Sequence, residues 1–146
     1  MAIVLASQSP RRQELLARIG VEDFKTLSLD IDESYPEGLS PEDTVRYIAK
    51  KKCDAAAALF APDDLIITAD TMVFLGNDRL GKPRDEEDEI RAYIKTGEPM
   101  DKAGAYGVQS RGALFVERID GDFFNVMGLP VEQLGLVLAR FGVKLL

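Results

Sequence analysis

The start of the chain combines residue types that bind phosphate. A short apolar run, Ile3–Ala6, leads to two serines and two arginines around a proline: Ser7, Ser9, Arg11 and Arg12. Serine is a preferred helix N-cap, and proline is tolerated in the first turn because its missing N–H has no helical partner there. The free amides of such a turn, with guanidinium groups beside them, favour an anion. The segment predicts either a phosphate-binding helix start or an ordinary capped helix with solvated arginines.

Acidic residues form a second polar cluster. The continuous apolar run Leu65–Ile67 predicts a buried strand, and Asp70 and Thr71 follow it closely. Ligands of open α/β sheets bind at the carboxyl ends of the strands, which makes Asp70 the main candidate for chemistry. A solvated strand-end acid is the plain alternative. Glu33, next to Asp32, is a weaker candidate because acids are common in exposed loops.

Further charged candidates lie later in the chain. Lys82 precedes a proline, which favours an extended backbone and fixes the direction of the lysine. The segment Gly97–Gly107 is dense in charge and glycine, as binding loops often are, and it contains Glu98, Asp101 and Lys102. Gln109 adds an amide that can pair with a base edge. Acids for a divalent cation, cations for phosphates and an amide for a base together indicate nucleotide chemistry.

Composition limits the classes of function. The 146 residues, 46% of them hydrophobic, are enough for one domain with a core. The absence of histidine excludes a Ser-His-Asp triad and a His-ligated zinc site, so any metal is expected to be Mg²⁺ or Mn²⁺ held by carboxylates. A net charge of -7 with scattered lysines and arginines disfavours binding to a nucleic-acid polymer.

Cysteine content and hydropathy bear on location. The one cysteine, Cys53, falls on the apolar stripe of a predicted helix and is expected to be a buried packing residue. The apolar run near the N-terminus is far too short for a signal peptide or a membrane span. We therefore expect a cytoplasmic protein with no membrane partner.

The elements that must position these residues alternate between helix and strand. This pattern predicts an α/β fold, a single domain over residues 1–146 with a layered mixed sheet and flanking helices. Helices are predicted over residues 10–19, from the Ser40 cap to Phe60, over about Glu86–Thr96, and around Leu134–Phe141. Strands are predicted at Ile3–Ala6, Phe24–Leu29, Leu65–Ile67 and Met72–Leu75, with a hairpin of Ala113–Ile119 and Phe123–Met127 about Asp120-Gly121.

Several segments resemble a known family. They are LASQSPRRQELL, the acid pair Asp32-Glu33, IAKKKCDAA around Lys52, IITADTMV, LGKPRD and TGEPMDKAGAYGVQSRGALFVERIDGDFFNVMGLP. In this order they resemble the Maf family of nucleoside triphosphate pyrophosphatases. The resemblance implies hydrolysis between the α- and β-phosphates of a nucleoside triphosphate, which gives the monophosphate and pyrophosphate and serves to sanitise nucleotide pools. It also implies homodimerisation.

The resemblance implies roles for individual residues. Asp70 matches the family's proton acceptor, and with Glu33 it is expected to hold Mg²⁺ or Mn²⁺. The specificity positions match Arg12, Thr71 and Gln109. With the arginine pair Arg11-Arg12, these residues resemble the branch that acts on dTTP and UTP. The methylated-GTP branch typically has tryptophan in place of the first arginine of this pair, Arg11. The remaining pocket positions match Ser9, Lys52, Lys82, Glu98, Asp101 and Lys102.

The chain departs from the family in one place. Between LGKPRD and the Glu98 segment, members of the family normally carry several tens more residues. Across residues 85–90 we therefore expect one continuous helix, with consecutive Cα atoms about 3.8 Å apart, and a smaller sheet whose exposed edge a partner chain covers. Because charged groups must be held rigidly for phosphoryl transfer, a catalytically impaired nucleotide-binding or regulatory protein of the cell-division arrest type is the alternative function.

Overall fold

The computed structural model describes residues 1–75, 78–80, 89–102 and 107–145. It confirms the predicted α/β class, a parallel sheet with flanking helices. The helices are α1 (Pro10–Arg18), α2 (Pro41–Ala57), α3 (Glu89–Ile94), α4 (Phe123–Met127) and α5 (Val131–Arg140). The strands are β1 (Ile3–Leu5), β2 (Lys25–Thr26), β3 (Leu65–Ile67), β4 (Val73–Leu75) and β5 (Asp78–Leu80). None of the helices in these ranges is long and apolar enough to cross a membrane.

Three parallel strands in the order β2-β1-β3 position the first candidate residues. Leu5 of β1 pairs with Thr26 on one side and with Ile67 on the other. The Ala6 amide continues this pairing by donating to the Ile67 carbonyl at 2.9 Å. Since parallel strands end at the same edge of a sheet, the residues that follow β1 and β3 emerge side by side.

The chain divides into two compact units. Met1–Asp70 and Phe124–Leu146 form the first, and Thr71–Phe123 forms the second. The core of the first unit consists of β1, α1, β3 and α5 side chains, among them Leu5, Leu15, Leu16, Ile67 and Leu138. Fully burying a leucine contributes roughly 1.5–3 kcal/mol, so this core holds the strand ends in place. The prediction of a single domain stays a prediction.

The second unit begins with the strand predicted at Met72–Leu75, which corresponds to β4. Strands β4 and β5 pair antiparallel, with Val73 opposite Leu80. Helix α3 falls within the predicted 86–96 helix, and Gly97 ends this region with a left-handed φ of 73°. Residues 85–88, where the helix junction was predicted, lie outside the described residues. Glu98–Asp101, expected to be a loop, form a short 3₁₀ helix.

The predicted hairpin around Asp120-Gly121 is wrong. Arg111–Phe115 form a 3₁₀ helix, and Phe123–Met127 form α4 in place of a strand. Local bonding satisfies this backbone, since the Gly128 amide donates to the Phe124 carbonyl at 3.1 Å and the Val116 amide to the Ala113 carbonyl at 3.1 Å. The apolar pattern resembled a strand, but such a pattern forms one only where a partner strand is within reach.

Two smaller differences concern β2 and Cys53. Strand β2 covers only Lys25–Thr26 of the predicted Phe24–Leu29. Cys53 is a free thiol and only partly buried, because α2 turns Ile48 and Ala56 fully inward instead. Neither difference moves the strand ends that carry the candidate residues.

Candidate functional site

Asp70 and Lys52 form the centre of the first cluster. Asp70 follows β3, Lys52 lies in the second half of α2, and Lys52 Nζ is 2.7 Å from Asp70 Oδ1. Their side chains are only 10% and 16% exposed, so water screens this ion pair weakly. A nearly buried carboxylate with one cation partner is typical of functional sites as well as of structural ion pairs.

Thr68 fixes the distance between the two elements that carry this pair. Its hydroxyl donates to the Ala49 carbonyl of α2 at 2.9 Å. The bond joins the end of β3, two residues before Asp70, to the helix turn before Lys52. Sequence reasoning missed Thr68, although a hydroxyl between the apolar residues Ile67 and Ala69 needs a hydrogen-bond partner when it is buried.

Glu33 completes an arrangement of two carboxylates around one ammonium group. Lys52 Nζ lies 2.8 Å from Glu33 Oε1, and the Glu33 side chain is about half exposed, at 47%. The Glu33 and Asp70 oxygens are therefore no farther apart than the sum of their distances to this ammonium. Carboxylate oxygens are the ligands that Mg²⁺ prefers, and Mg²⁺ commonly takes one or two of them together with water and phosphate oxygens. The two carboxylates supply the type of ligand that such an ion prefers, and no group of three acidic or thiol ligands occurs among the described residues.

Arg12 belongs to the same cluster. Its Nε donates to the Gly128 carbonyl at 2.8 Å and its Nη1 to Ser7 Oγ at 3.3 Å. The pKa of Arg12 is lowered, chiefly because burial disfavours its charged form. The nearby carboxylates of Asp70 and Glu33 oppose this shift, and the charge of Arg11 adds to it. The guanidinium stays charged in any protein environment, so it adds a fixed positive charge beside the two carboxylates.

The helix start around Ser9 has the predicted position but not the predicted cap. Ser9 is the N-cap residue of α1 and a proline follows it, yet its hydroxyl makes no capping hydrogen bond. The Ser9 amide instead donates to Ser7 Oγ at 3.2 Å, the oxygen that Arg12 also contacts. Arg11 is partly exposed on the same turn. The start of α1 therefore lies next to the carboxylates, as the sequence predicts.

A second cluster surrounds Glu98 in the other unit. Glu98 Oε1 accepts from the Tyr93 hydroxyl at 3.0 Å and from the Gly112 amide at 3.1 Å, and Oε2 accepts from the Arg111 amide at 3.2 Å. Desolvation alone raises the pKa of Glu98, but hydrogen bonds from the Ser110 side chain, Gly112, Tyr93 and Arg111 outweigh it and lower the pKa to about 2. Glu98 is thus ionised and bound to groups of its own chain.

Tyr93 is a second residue that sequence reasoning did not connect with function. Its ring is buried and its hydroxyl accepts from the Gly107 amide at 2.9 Å while donating to Glu98. Tyr93 lies within the helix predicted over about Glu86–Thr96. A buried tyrosine hydroxyl usually has a hydrogen-bond partner, which was the available signal.

The other predicted residues of this unit have different surroundings. Lys102 is 15% exposed, and its Nζ contacts Asp101 Oδ1 at 3.1 Å and the Glu98 carbonyl. Gln109 is exposed and Thr71 is partly exposed. Lys82 lies outside the described residues. The structure therefore gathers the predicted residues into two clusters, one in each unit: Ser7, Arg12, Glu33, Lys52 and Asp70; Glu98, Asp101 and Lys102.

The low pKa of Glu98 predicts a pH-dependent stability. A carboxyl that titrates near pH 2 in the fold and near its ordinary 4.5 when unfolded stabilises the fold fully above pH 4.5 and loses this contribution as the pH falls toward 2. We expect Glu98→Gln to flatten the fall in urea midpoint between these pH values. Glu117→Gln, at an exposed position, is the matched control. If the urea midpoint falls equally steeply with decreasing pH in Glu98→Gln and in the unmodified chain, the low pKa is assigned to the wrong residue.

The sequence of this chain is similar to those of known proteins. The family model described as "Maf-like protein" matches residues 2–90 and 86–141. A dTTP/UTP pyrophosphatase of Dictyoglomus turgidum is 39% identical over 191 residues, with 99% of this chain and 98% of the relative covered. A protein of the same name from Bacillus velezensis is 37% identical, and the alignment covers 97% of each chain. Another from Aquifex aeolicus is 38% identical, and the alignment covers 98% of this chain and 97% of the relative.

The fold and these matches define an α/β protein of a nucleotide-pyrophosphatase type. The chain belongs to the Maf-like protein family. The two matches to the family model meet at residues 86–90. The 191 aligned positions with the Dictyoglomus turgidum protein exceed the 146 residues of this chain by at least 45. Both observations agree with a shortened segment at the junction that the sequence indicates.

Proposed function

We propose that this chain hydrolyses dTTP, UTP and related pyrimidine nucleoside triphosphates to the monophosphate and pyrophosphate. The observation that carries the proposal is the contact of Lys52 with both Asp70 and Glu33, beside the partly buried Arg12. The names of the relatives, dTTP/UTP pyrophosphatases, support this choice of reaction and substrate. The role of such a reaction is to remove unwanted nucleotides from the cellular pool.

In the proposed reaction, Asp70 accepts the proton of the attacking water. The water oxygen forms a bond to the α-phosphorus, the bond from the α-phosphorus to the bridging oxygen breaks, and pyrophosphate leaves with that electron pair. Arg12 and Lys52 neutralise the phosphate charge that builds up, which is most of what phosphoryl transfer requires of a protein. Asp70 suits the task because its backbone is fixed by β3 and its side chain is nearly buried.

The proposed cofactor is Mg²⁺ or Mn²⁺, held by Glu33 and Asp70. A bound divalent ion supplies charge neutralisation and lowers the pKa of water. Lys52 contacts both carboxylates, so their oxygens lie close to one another. Two carboxylates leave room for the water and phosphate oxygens that Mg²⁺ retains.

The family resemblance supports roles for further residues in each unit. Arg12, Thr71 and Gln109 are assigned to base and branch specificity, and Ser7, Ser9 and Arg11 to the phosphates at the start of α1. Further pocket positions follow from the family resemblance: Lys82, Glu98, Asp101 and Lys102. We also propose a cytoplasmic location and a homodimer, on the same resemblance. A catalytically impaired regulatory protein is not favoured, because the relatives are named as enzymes.

The specificity proposal predicts the result of Gln109→Ala. We expect the unmodified chain to prefer dTTP and UTP to dCTP, with Gln109 contacting the base edge. One hydrogen bond contributes about 0.5–1.5 kcal/mol, so Gln109→Ala should reduce the dTTP to dCTP ratio of kcat/KM by roughly threefold to tenfold. Pyrophosphate release with a panel of nucleoside triphosphates and Mn²⁺ measures the substrate preference of the unmodified chain and the ratio in Gln109→Ala. A better rate with dCTP or a purine nucleotide for the unmodified chain would show that the branch is assigned wrongly.

A further inference from the structure

We propose that Glu98 and Tyr93 are positioning residues that hold the 107–112 loop, which carries Gln109, and that Glu98 does not itself contact the substrate. This inference rests on the proposed function, since it concerns how Gln109 is presented to a pyrimidine base. It replaces the role of substrate ligand that the family resemblance implies for Glu98. The 107–112 loop is defined here as Gly107–Gly112.

Two linked side chains hold the loop, Tyr93 at one end and Glu98 at the other. The Gly107 amide donates to the Tyr93 hydroxyl at 2.9 Å, and this hydroxyl donates to Glu98 Oε1 at 3.0 Å. At the other end, the Gly112 amide donates to Glu98 Oε1 at 3.1 Å and the Arg111 amide to Oε2 at 3.2 Å. Gln109 lies between these ends, exposed.

Gly112 shows how closely the two ends approach each other. A Cβ added there would lie 2.4 Å from the Gly107 carbonyl oxygen and 2.6 Å from the Tyr93 hydroxyl. Both distances are far below van der Waals contact, so only glycine fits. The close approach makes the loop a closed turn with its base at Tyr93 and Glu98 and with Gln109 away from that base.

The chemistry of Glu98 favours positioning over ligand binding. Its two oxygens accept hydrogen bonds from Tyr93, Arg111 and Gly112. The Ser110 side chain adds a further hydrogen bond. A carboxylate with this set of hydrogen bonds would have to break some of them to contact a nucleotide, and each broken bond would leave an amide or a hydroxyl without that partner. A negative charge beside a triphosphate would also repel it.

Hydrogen exchange tests the structural part without any activity. In Tyr93→Phe and Glu98→Gln, the amides of Gly107, Arg111 and Gly112 should exchange faster by roughly threefold to tenfold, as expected for the loss of one hydrogen bond. Tyr47→Phe and Glu117→Gln remove the same groups at exposed positions and should leave these amides unchanged. Unchanged exchange in the first two variants would overturn the proposal.

A double-mutant cycle tests the functional part. The dTTP to dCTP ratio of kcat/KM is measured for the unmodified chain, Glu98→Gln, Gln109→Ala and the double variant. If Glu98 acts through Gln109, Glu98→Gln lowers the ratio mainly by raising KM for dTTP, and the double variant equals Gln109→Ala alone. Tyr93→Phe, which leaves the Glu98 charge in place, should give the same pattern.

The outcomes separate this inference from the proposed function. Additive effects of Glu98→Gln and Gln109→Ala, or an unchanged ratio in Glu98→Gln, would overturn the positioning role while leaving the pyrophosphatase proposal intact. A Gln109→Ala variant that keeps the full ratio would overturn the route through Gln109 and leave the pyrophosphatase proposal intact. An unmodified chain that releases no pyrophosphate would overturn the proposed function itself.

Discussion

Asp70→Asn is expected to lower kcat for pyrophosphate release by at least ~10²-fold, the lower range for removing an acid/base group. Asparagine keeps the shape of the side chain, and its carbonyl oxygen can still accept from Lys52 Nζ, which lies 2.7 Å from Asp70 Oδ1. What it loses is the ability to take a proton from water and to attract a divalent cation. Because Lys52 also contacts Glu33, the ammonium keeps one carboxylate partner and the fold should persist.

The comparison for Asp70→Asn is Asp54→Asn, an exposed acid on α2 that pairs with Lys50. It should leave kcat unchanged. Pyrophosphate release with dTTP and Mn²⁺ is measured beside a thermal melt of each variant. Near-normal turnover in a folded Asp70→Asn protein would defeat the assigned role. An unmodified chain that binds dTTP without turnover would favour the regulatory alternative instead.

The sequence was most informative where chemistry and local structure coincide. The strand at Leu65–Ile67 has its predicted bounds, and the strand before Ser7 ends one residue before the predicted Ala6. The helix that begins after Ser40 ends at Ala57, three residues before the predicted Phe60. Each has a local cause. The strand has a continuous apolar run, and the helix after Ser40 has a cap whose Oγ accepts a hydrogen bond from the Asp43 amide at 3.1 Å. The apolar run before Ser7 ends at a helix start that contains a proline. These elements alone bring Asp70 to the sheet edge.

The sequence was least informative where long-range partners decide the structure. The Ala113–Ile119 pattern resembles a strand, but Leu114 and Phe115 are 88% and 66% exposed and the backbone bonds locally. Likewise, no spacing rule places Lys52 between Glu33 and Asp70, which are separated from it by 19 and 18 positions in the sequence. That contact depends on how α2 packs beside β3, and the family resemblance, not periodicity, pointed to Lys52.

Glu98 shows what a family resemblance leaves open about the role of a single residue. The segment containing it matches closely, and the match implied a pocket residue. The hydrogen bonds show a carboxylate turned toward Tyr93 and the amides of Arg111 and Gly112. A motif is retained for any residue that the site needs, whether the residue contacts a ligand or holds another residue in place. Only the distances separate the two cases.

Lys52→Met is expected to have the second large effect, on both stability and activity. Removing the ammonium leaves Asp70, with a side chain only 10% exposed, as a nearly buried charge beside Glu33. Breaking a buried ion pair by removing one partner costs about 3–5 kcal/mol, and the charge on Arg12 should keep the loss near about 3 kcal/mol. The variant should also lose most turnover, because no ammonium remains there to neutralise phosphate charge.

The same helix offers a matched control for Lys52→Met. Lys50 pairs with Asp54, but both side chains are more than half exposed, so Lys50→Met should cost at most about 1 kcal/mol. Urea unfolding at neutral pH measures the free energy of each variant. Adding Asp70→Asn to Lys52→Met should recover part of the lost stability, because it removes the stranded charge. If Lys52→Met and Lys50→Met are equally stable and equally active, then the contacts of Lys52 with Glu33 and Asp70 contribute to neither the fold nor the reaction.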